Sequence, residues 1–170
     1  YKADGSIRTA TIGQNGDLPK VQDYDGDGRF DIAVFRPAAA RTIVIYSSNS
    51  STHNFDFASG TADHTVRGDI TGDGADDISF WEPISGLFFS LTSDNNFNDT
   101  LGRNKNPNYY KELQLGTYAQ DLPLSWNQHG GKILYTVVNH STGVRRFRAE
   151  NSVSQPVQSI QWGLPGDAQG

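Results

Sequence analysis

Asp23-Tyr24-Asp25-Gly26-Asp27-Gly28-Arg29-Phe30-Asp31 returns 46 residues later as Asp69-Ile70-Thr71-Gly72-Asp73-Gly74-Ala75-Asp76-Asp77. Both stretches carry oxygen side chains at loop positions 1, 3, 5 and 9 and glycine at position 6. Alternate residues of a tight loop can all point inward, and a hard cation such as Ca²⁺ takes six to eight oxygen ligands in a flexible shell. The spacing therefore predicts a cage of Asp23, Asp25, Asp27 and Asp31, with the Arg29 carbonyl at position 7. The second cage comprises Asp69, Thr71, Asp73 and Asp77 with the Ala75 carbonyl. The Thr71 hydroxyl in place of a carboxylate predicts weaker binding there, and two Ca²⁺ ions are expected in all. Glycine at position 6 permits the reversal that wraps the loop.

An EF-hand needs a Glu at position 12 and a helix on either side. Position 12 here is Val34 or Phe80, and the loops run on into Phe30-Asp31-Ile32-Ala33-Val34-Phe35-Arg36-Pro37 and Asp76-Asp77-Ile78-Ser79-Phe80-Trp81-Glu82-Pro83. Apolar, β-branched and aromatic residues closed by proline read as strands.

The 46-residue offset extends through Ile32/Ile78, Phe35/Trp81 and Pro37/Pro83, a period in the range of propeller blades. The first unit divides into four expected strands at 20–24, 30–36, 42–47 and 52–57. Fourth-strand pieces recur at 7–12, 110–115 and 157–162, followed by Gly13, Gly116 and Gly163. The repeat units run from about 14–60, 61–116 and 117–163. In the third, a second strand is expected at 132–138, and its loop positions Ser125, Asn127, His129 and Ile133 offer no carboxylate, so no third ion is expected. Extra residues between Ser93 and Tyr110 read as a surface excursion.

The loop, the Asp31-Ile32-Ala33-Val34-Phe35-Arg36-Pro37 strand and the Gln161-Trp162-Gly163-Leu164-Pro165-Gly166-Asp167 segment resemble the FG-GAP/VCBS repeats of bacterial surface and secreted proteins, relatives of the integrin α-subunit propeller. The resemblance covers nearly the whole chain. It implies an all-β domain over 1–170 made of about three four-stranded antiparallel propeller blades, with Ca²⁺ in loops of the form DxDxDGxxD. It also implies a role in adhesion. Propellers close with four to eight blades, so three blades imply a piece of a longer ring or copies that associate to complete one.

Composition narrows the function classes. Without cysteine there is neither disulfide nor thiol chemistry, which leaves metal as the candidate staple. Weak calcium sites fill outside the cell and stay empty in the cytosol, so a secreted or cell-surface protein is expected. The start at Tyr1 and the absence of a signal or transmembrane run read as a soluble mature product or excised fragment. A net charge of −5 opposes nucleic-acid binding, which needs a basic face. Seven of the acidic residues belong to the two expected cages. Arg145, Arg146 and Arg148 read as a solvated strand face.

No catalytic constellation emerges. The paired carboxylates sit in metal spacing, His53, His64, His129 and His140 are scattered, and the serines of 47–51 lack a nucleophile elbow. Arg67-Gly68-Asp69 spells an adhesion tripeptide, but Asp69 is the first ligand of the second cage and cannot also be presented to a receptor. Phe35, Phe55, Phe57, Phe80, Trp81 and Trp162 are expected to pack between blades. Trp126 and Asn127 in the decayed loop, with Tyr109 and Tyr110 beside the excursion, form a candidate stacking platform for a sugar ring. The expected function is thus a non-catalytic, calcium-stabilised extracellular interaction or adhesion module that meets a protein or glycan ligand. The alternative is a carbohydrate-binding module appended to a polysaccharide-active protein.

Overall fold

The computed structural model describes residues 9–58, 63–97, 110–116, 120–127, 133–148 and 156–164. Their strands form three four-stranded antiparallel sheets, each laid down in chain order. The first sheet comprises β1 (Leu18–Pro19), β2 (Ile32–Arg36), β3 (Arg41–Ile45) and β4 (Thr52–Asp56). The second comprises β5 (His64–Val66), β6 (Ile78–Glu82), β7 (Leu87–Leu91) and β8 (Tyr110–Gln114). The third comprises β9 (Asp121–Asn127), β10 (Ile133–Asn139), β11 (Val144–Arg148) and β12 (Gln158–Gln161). The only helical segments among the described residues are two 3-10 turns, Pro37–Ala39 and Ser93–Asn95. The all-β expectation therefore holds.

Alternation along the strands decides what each face buries. Ala33, Phe35 and Val44 of the first sheet meet Ile78, Phe80, Phe89 and Leu91 of the second. On the opposite face of the second sheet, Trp81 and Phe88 meet Tyr135 and Val137 of the third. Rings interlock across both seams: Phe35 lies 4.7 Å from Phe80, and Phe88 lies 5.0 Å from Tyr135. Each fully buried side chain of this size contributes roughly 1.5–3 kcal/mol. The middle sheet, apolar on both faces, is therefore the heart of the molecule.

Register exposes an equivalence among the three first strands. Pro19 pairs with Val34, Thr65 with Phe80 and Pro123 with Val137. The preceding residues, Leu18, His64 and Leu122, together line one cavity of about 340 Å³ where the first strands converge. Ahead of each stands an aspartate. Asp17 pairs with Arg36 at 2.8 Å, Asp121 pairs with Arg146 at 2.7 Å, and Asp63 is buried.

Several sequence expectations need correction. The first strand of the first unit sits at Leu18–Pro19, not 20–24. Beyond it only Gln22 bridges to Asp31, because Tyr24 turns into the core, where it is 1% exposed. Residues 9–12 carry no strand; the rest of the 7–12 piece lies outside the described residues. In the third sheet Trp126 pairs with Leu134, as Gln22 pairs with Asp31. Leu134, not Ile133, thus stands at the last loop position, and Asn127 follows as the equivalent of Asp23. Trp162 is half exposed and lies under the Arg145 guanidinium, 4.6 Å from it, instead of packing between sheets. Arg146 is tied to buried Asp121, so that face is not a row of free solvated charges.

Candidate metal centre

The first loop leaves the Gln22–Asp31 bridge and closes on itself through its aspartates. Asp23 accepts the N–H groups of Asp27 and Gly28 at 3.2 and 2.8 Å, and Asp27 accepts that of Arg29 at 2.9 Å. Gly26 and Gly28 adopt φ of +71° and +82° to allow the winding. The outcome is that Asp23, Asp25 and Asp27 each bring an oxygen within 4.8 Å of the others, the only such trio of metal-binding side chains among the described residues. Three carboxylates at that separation repel one another unless a cation sits among them. An all-oxygen donor set is the chemistry of a hard divalent ion.

Asp31 does a different job. It is fully buried, and its two carboxylate oxygens accept the N–H groups of Tyr24 at 2.8 Å and Ser47 at 2.6 Å. One residue therefore ties the start of the loop, its end and the turn after β3. Burial pushes its carboxyl upward; the two N–H groups oppose this, while the charges of Asp25 and Asp23 add to it.

The second loop repeats this wiring. Asp77, also fully buried, accepts the N–H groups of Ile70 at 2.7 Å and Ser93 at 2.8 Å. Asp69 gathers the N–H groups of Gly72, Asp73 and Gly74, and Asp73 accepts that of Ala75 at 3.0 Å. The Thr71 hydroxyl donates to Asp69 at 3.3 Å. Burial raises the Asp77 carboxyl to about 6, against the lowering effect of its donors Ser93, Ile70 and Thr71. A divalent cation would relieve that electrostatic load in either loop.

Two serines complete the loops. The Ser47 hydroxyl donates to Asp27 at 3.1 Å, and the Ser93 hydroxyl donates to Asp73 at 3.0 Å and to Asp77 at 3.0 Å. Ser93 also reaches the Ala75 carbonyl, at 3.3 Å. Sequence reasoning missed both, although they stand at the same 46-residue offset as the aspartates they serve.

The two loops touch. Asp76 of the second receives the Asp23 N–H of the first on its carboxylate and returns its own N–H to the Asp23 carbonyl. Burial raises the Asp76 carboxyl; the hydrogen bond from Asp23 opposes this and the charges of Asp23 and Asp69 add to it. Beneath the contact lies Lys20, 1% exposed, donating to the Ser79 carbonyl at 3.2 Å and standing 4.4 Å above the Phe80 ring.

Asp69 turns its carboxylate onto its own loop, and Gly68 is buried, which argues against presentation of the Arg67-Gly68-Asp69 tripeptide. Of the candidate sugar platform, Trp126 and Asn127 end β9, the first strand of the third sheet, and Tyr110 opens β8, the last strand of the second. Tyr109 lies outside the described residues. No helix among the described residues is long and apolar enough to cross a membrane. No family model, curated protein or solved structure matches the chain.

Proposed function

We propose that the chain is a calcium-stabilised, non-catalytic interaction module built from FG-GAP/VCBS-type repeats, working outside the cell as a secreted or surface-attached protein. The observation that carries this reading is the duplicated wiring of the loops. Asp31 and Asp77 close them, Ser47 and Ser93 brace them, and in the first loop the carboxylates of Asp23, Asp25 and Asp27 are collected within metal-binding distance of one another. Asp23, Asp25, Asp27 and Asp31 would hold one ion and Asp69, Thr71, Asp73 and Asp77 the other, with the carbonyls of Arg29 and Ala75. The ion's part is to neutralise the clustered charge and lock the hairpins. The three sheets, with first strands converging, are read as propeller blades, completed either by further units or by a second copy.

Calorimetric titration of chelator-treated protein with Ca²⁺, together with thermal melts, tests the reading. Two ions per chain and a raised melting temperature are expected, since a ligand that binds only the folded state stabilises it. Asp27→Ala should remove one ion and Asp73→Ala the other. Lack of binding in millimolar Ca²⁺, or a stoichiometry untouched by both substitutions, overturns it. Sedimentation of the calcium-loaded protein tests completion by a second copy, for which a monomer at high concentration is the contrary result.

A further inference from the structure

The 46-residue repeat breaks at one place, and a groove lies there. In the first sheet the turn after β3 closes with the Ser50 N–H on the Tyr46 carbonyl, and the Asn49 side chain accepts the Ser51 N–H at 2.8 Å. In the second sheet the corresponding turn takes one more residue. The Phe97 N–H closes it on the Thr92 carbonyl, and Asn96 and Phe97 both adopt left-handed backbone, with φ of +53° and +54°. Two successive non-glycine residues in that region are strained. The strained turn swings the Phe97 ring inward, 4.8 Å from Phe55 and 7% exposed, where the first sheet has only Ser51.

Phe55 and Phe97 form the ridge shared by two adjoining cavities of about 470 and 550 Å³ between the first and second sheets, each the size of a small-molecule site (~300–1,000 Å³). Tyr46 and His53 continue the ring surface on one side, their centroids 4.2 Å apart, while Asn54, Asn95 and Asp56 line the other. Among the described residues no lysine or arginine lines either cavity, so a phosphate or sulfate ester finds no counter-charge from them. The carboxylates on the walls are already engaged. Asp56 is paired with Arg41, while Asp25 and Asp73 belong to the two metal loops, where Ser48 and Ser93 donate to them, so a cation arriving at this wall goes to those loops and not to the groove. The Asn95 amide nitrogen, in contrast, is buried without an acceptor. A buried donor left unpaired costs about 1–3 kcal/mol, which a ligand oxygen would recover once the Asn95 amide turns toward the groove.

We propose that this groove binds a neutral saccharide. Ring faces suit the apolar C–H faces of a pyranose, amides suit its hydroxyls, and two adjoining cavities suit more than one sugar unit. The site lies apart from Trp126 and Asn127, and it deepens the interaction-module reading, on which it rests, by giving the module a ligand class.

The test uses the calcium-loaded whole chain against an immobilised panel of neutral, uronate-containing and sulfated oligosaccharides, followed by titration calorimetry with any that bind. Binding to a neutral oligosaccharide is expected, weakened at least about tenfold by His53→Ala and by Asn95→Ala and unchanged by Trp126→Ala. Both substituted side chains lie outside the two apolar cores, and circular dichroism melts confirm that the variants fold. A silent panel, binding restricted to acidic glycans, or binding that survives both substitutions but not Trp126→Ala overturns the proposal. A chain that takes up two Ca²⁺ yet binds no neutral glycan removes the saccharide site alone. A chain that takes up no Ca²⁺ removes the module reading whatever the panel shows.

Discussion

Asp76 and Asp23 hold each other by two reciprocal bonds: the Asp23 N–H donates to the Asp76 carboxylate at 2.9 Å, and the Asp76 N–H donates to the Asp23 carbonyl at 2.6 Å. Asp76 has no place in either expected ligand set, yet it joins the first position of one loop to the end of the other. The sheets are thus fastened to each other at their loops as well as through their apolar faces.

Asp76→Ala leaves the partly buried Asp23 N–H without its acceptor and should cost about 1–3 kcal/mol. It should also weaken ion binding in the first loop, although the substituted residue belongs to the second. Calcium titration of the variant checks this, and an unchanged affinity at the first site would show that the clasp is structural only.

Ser93→Ala removes the hydroxyl shared by Asp73 and Asp77 while its backbone N–H stays in place. A lost hydrogen bond to a charged group predicts about 1.5–3 kcal/mol of destabilisation and a lower calcium affinity in the second loop. Ser47→Ala should do the same to the first. Ser93→Thr, which keeps the hydroxyl, should retain most of both. Chemical denaturation and calorimetry of the three variants decide the matter.

Gly86 adopts a φ of +68°, and a Cβ there would meet the Gly116 carbonyl oxygen at 2.4 Å. Gly86→Ala collides with backbone and should destabilise by several kcal/mol, well above the ~1 kcal/mol of chain entropy such a change can return. The equivalent in the first sheet, Ala40, already has a left-handed φ of +50°. Ala40→Gly should therefore be close to neutral. Paired urea melts give the comparison, and equal effects at the two positions would contradict it.

Lys20 sets a pH dependence. Burial, aided by the nearby positive charge of Arg67 and opposed by Asp76, lowers its ammonium from 10.5 to about 7. The unfolded chain then binds more protons than the folded one between about pH 7 and 10.5, so this group makes stability rise with pH across that window. Its burden is fully present below pH 7. Lys20→Met should raise the melting temperature at pH 6 and narrow its lead as pH approaches 9. Melting curves that run parallel over that range would contradict the assignment.

The loops and most strands were legible because their signals are local. Alternating aspartates around a glycine specify a turn that gathers oxygens, and apolar runs closed by proline specify the strands beside it. The repeat was legible for the same reason. Ser47 and Ser93 were not, because a serine is chemically ordinary until a carboxylate from another hairpin faces it; only their shared offset marked them. The Asp-Leu-Pro recurrence at 17–19 and 121–123 was likewise available and unread. It would have placed the first strand of the third sheet, although Leu134 stands where Asp31 does only because the third loop is one residue shorter, which the strand pairing shows.

The sequence by itself determined the kind of sheet, the number of sheets and the trio Asp23, Asp25 and Asp27 that could gather around an ion, since each depends on neighbours within one hairpin. Tertiary structure alone decided that the loops clasp through Asp23 and Asp76, that Lys20 lies in an apolar seam, and that Phe97 breaks the repeat to shape a groove. Those relations join residues about fifty positions apart, and chain spacing carries no record of which faces will meet when packing removes them from water.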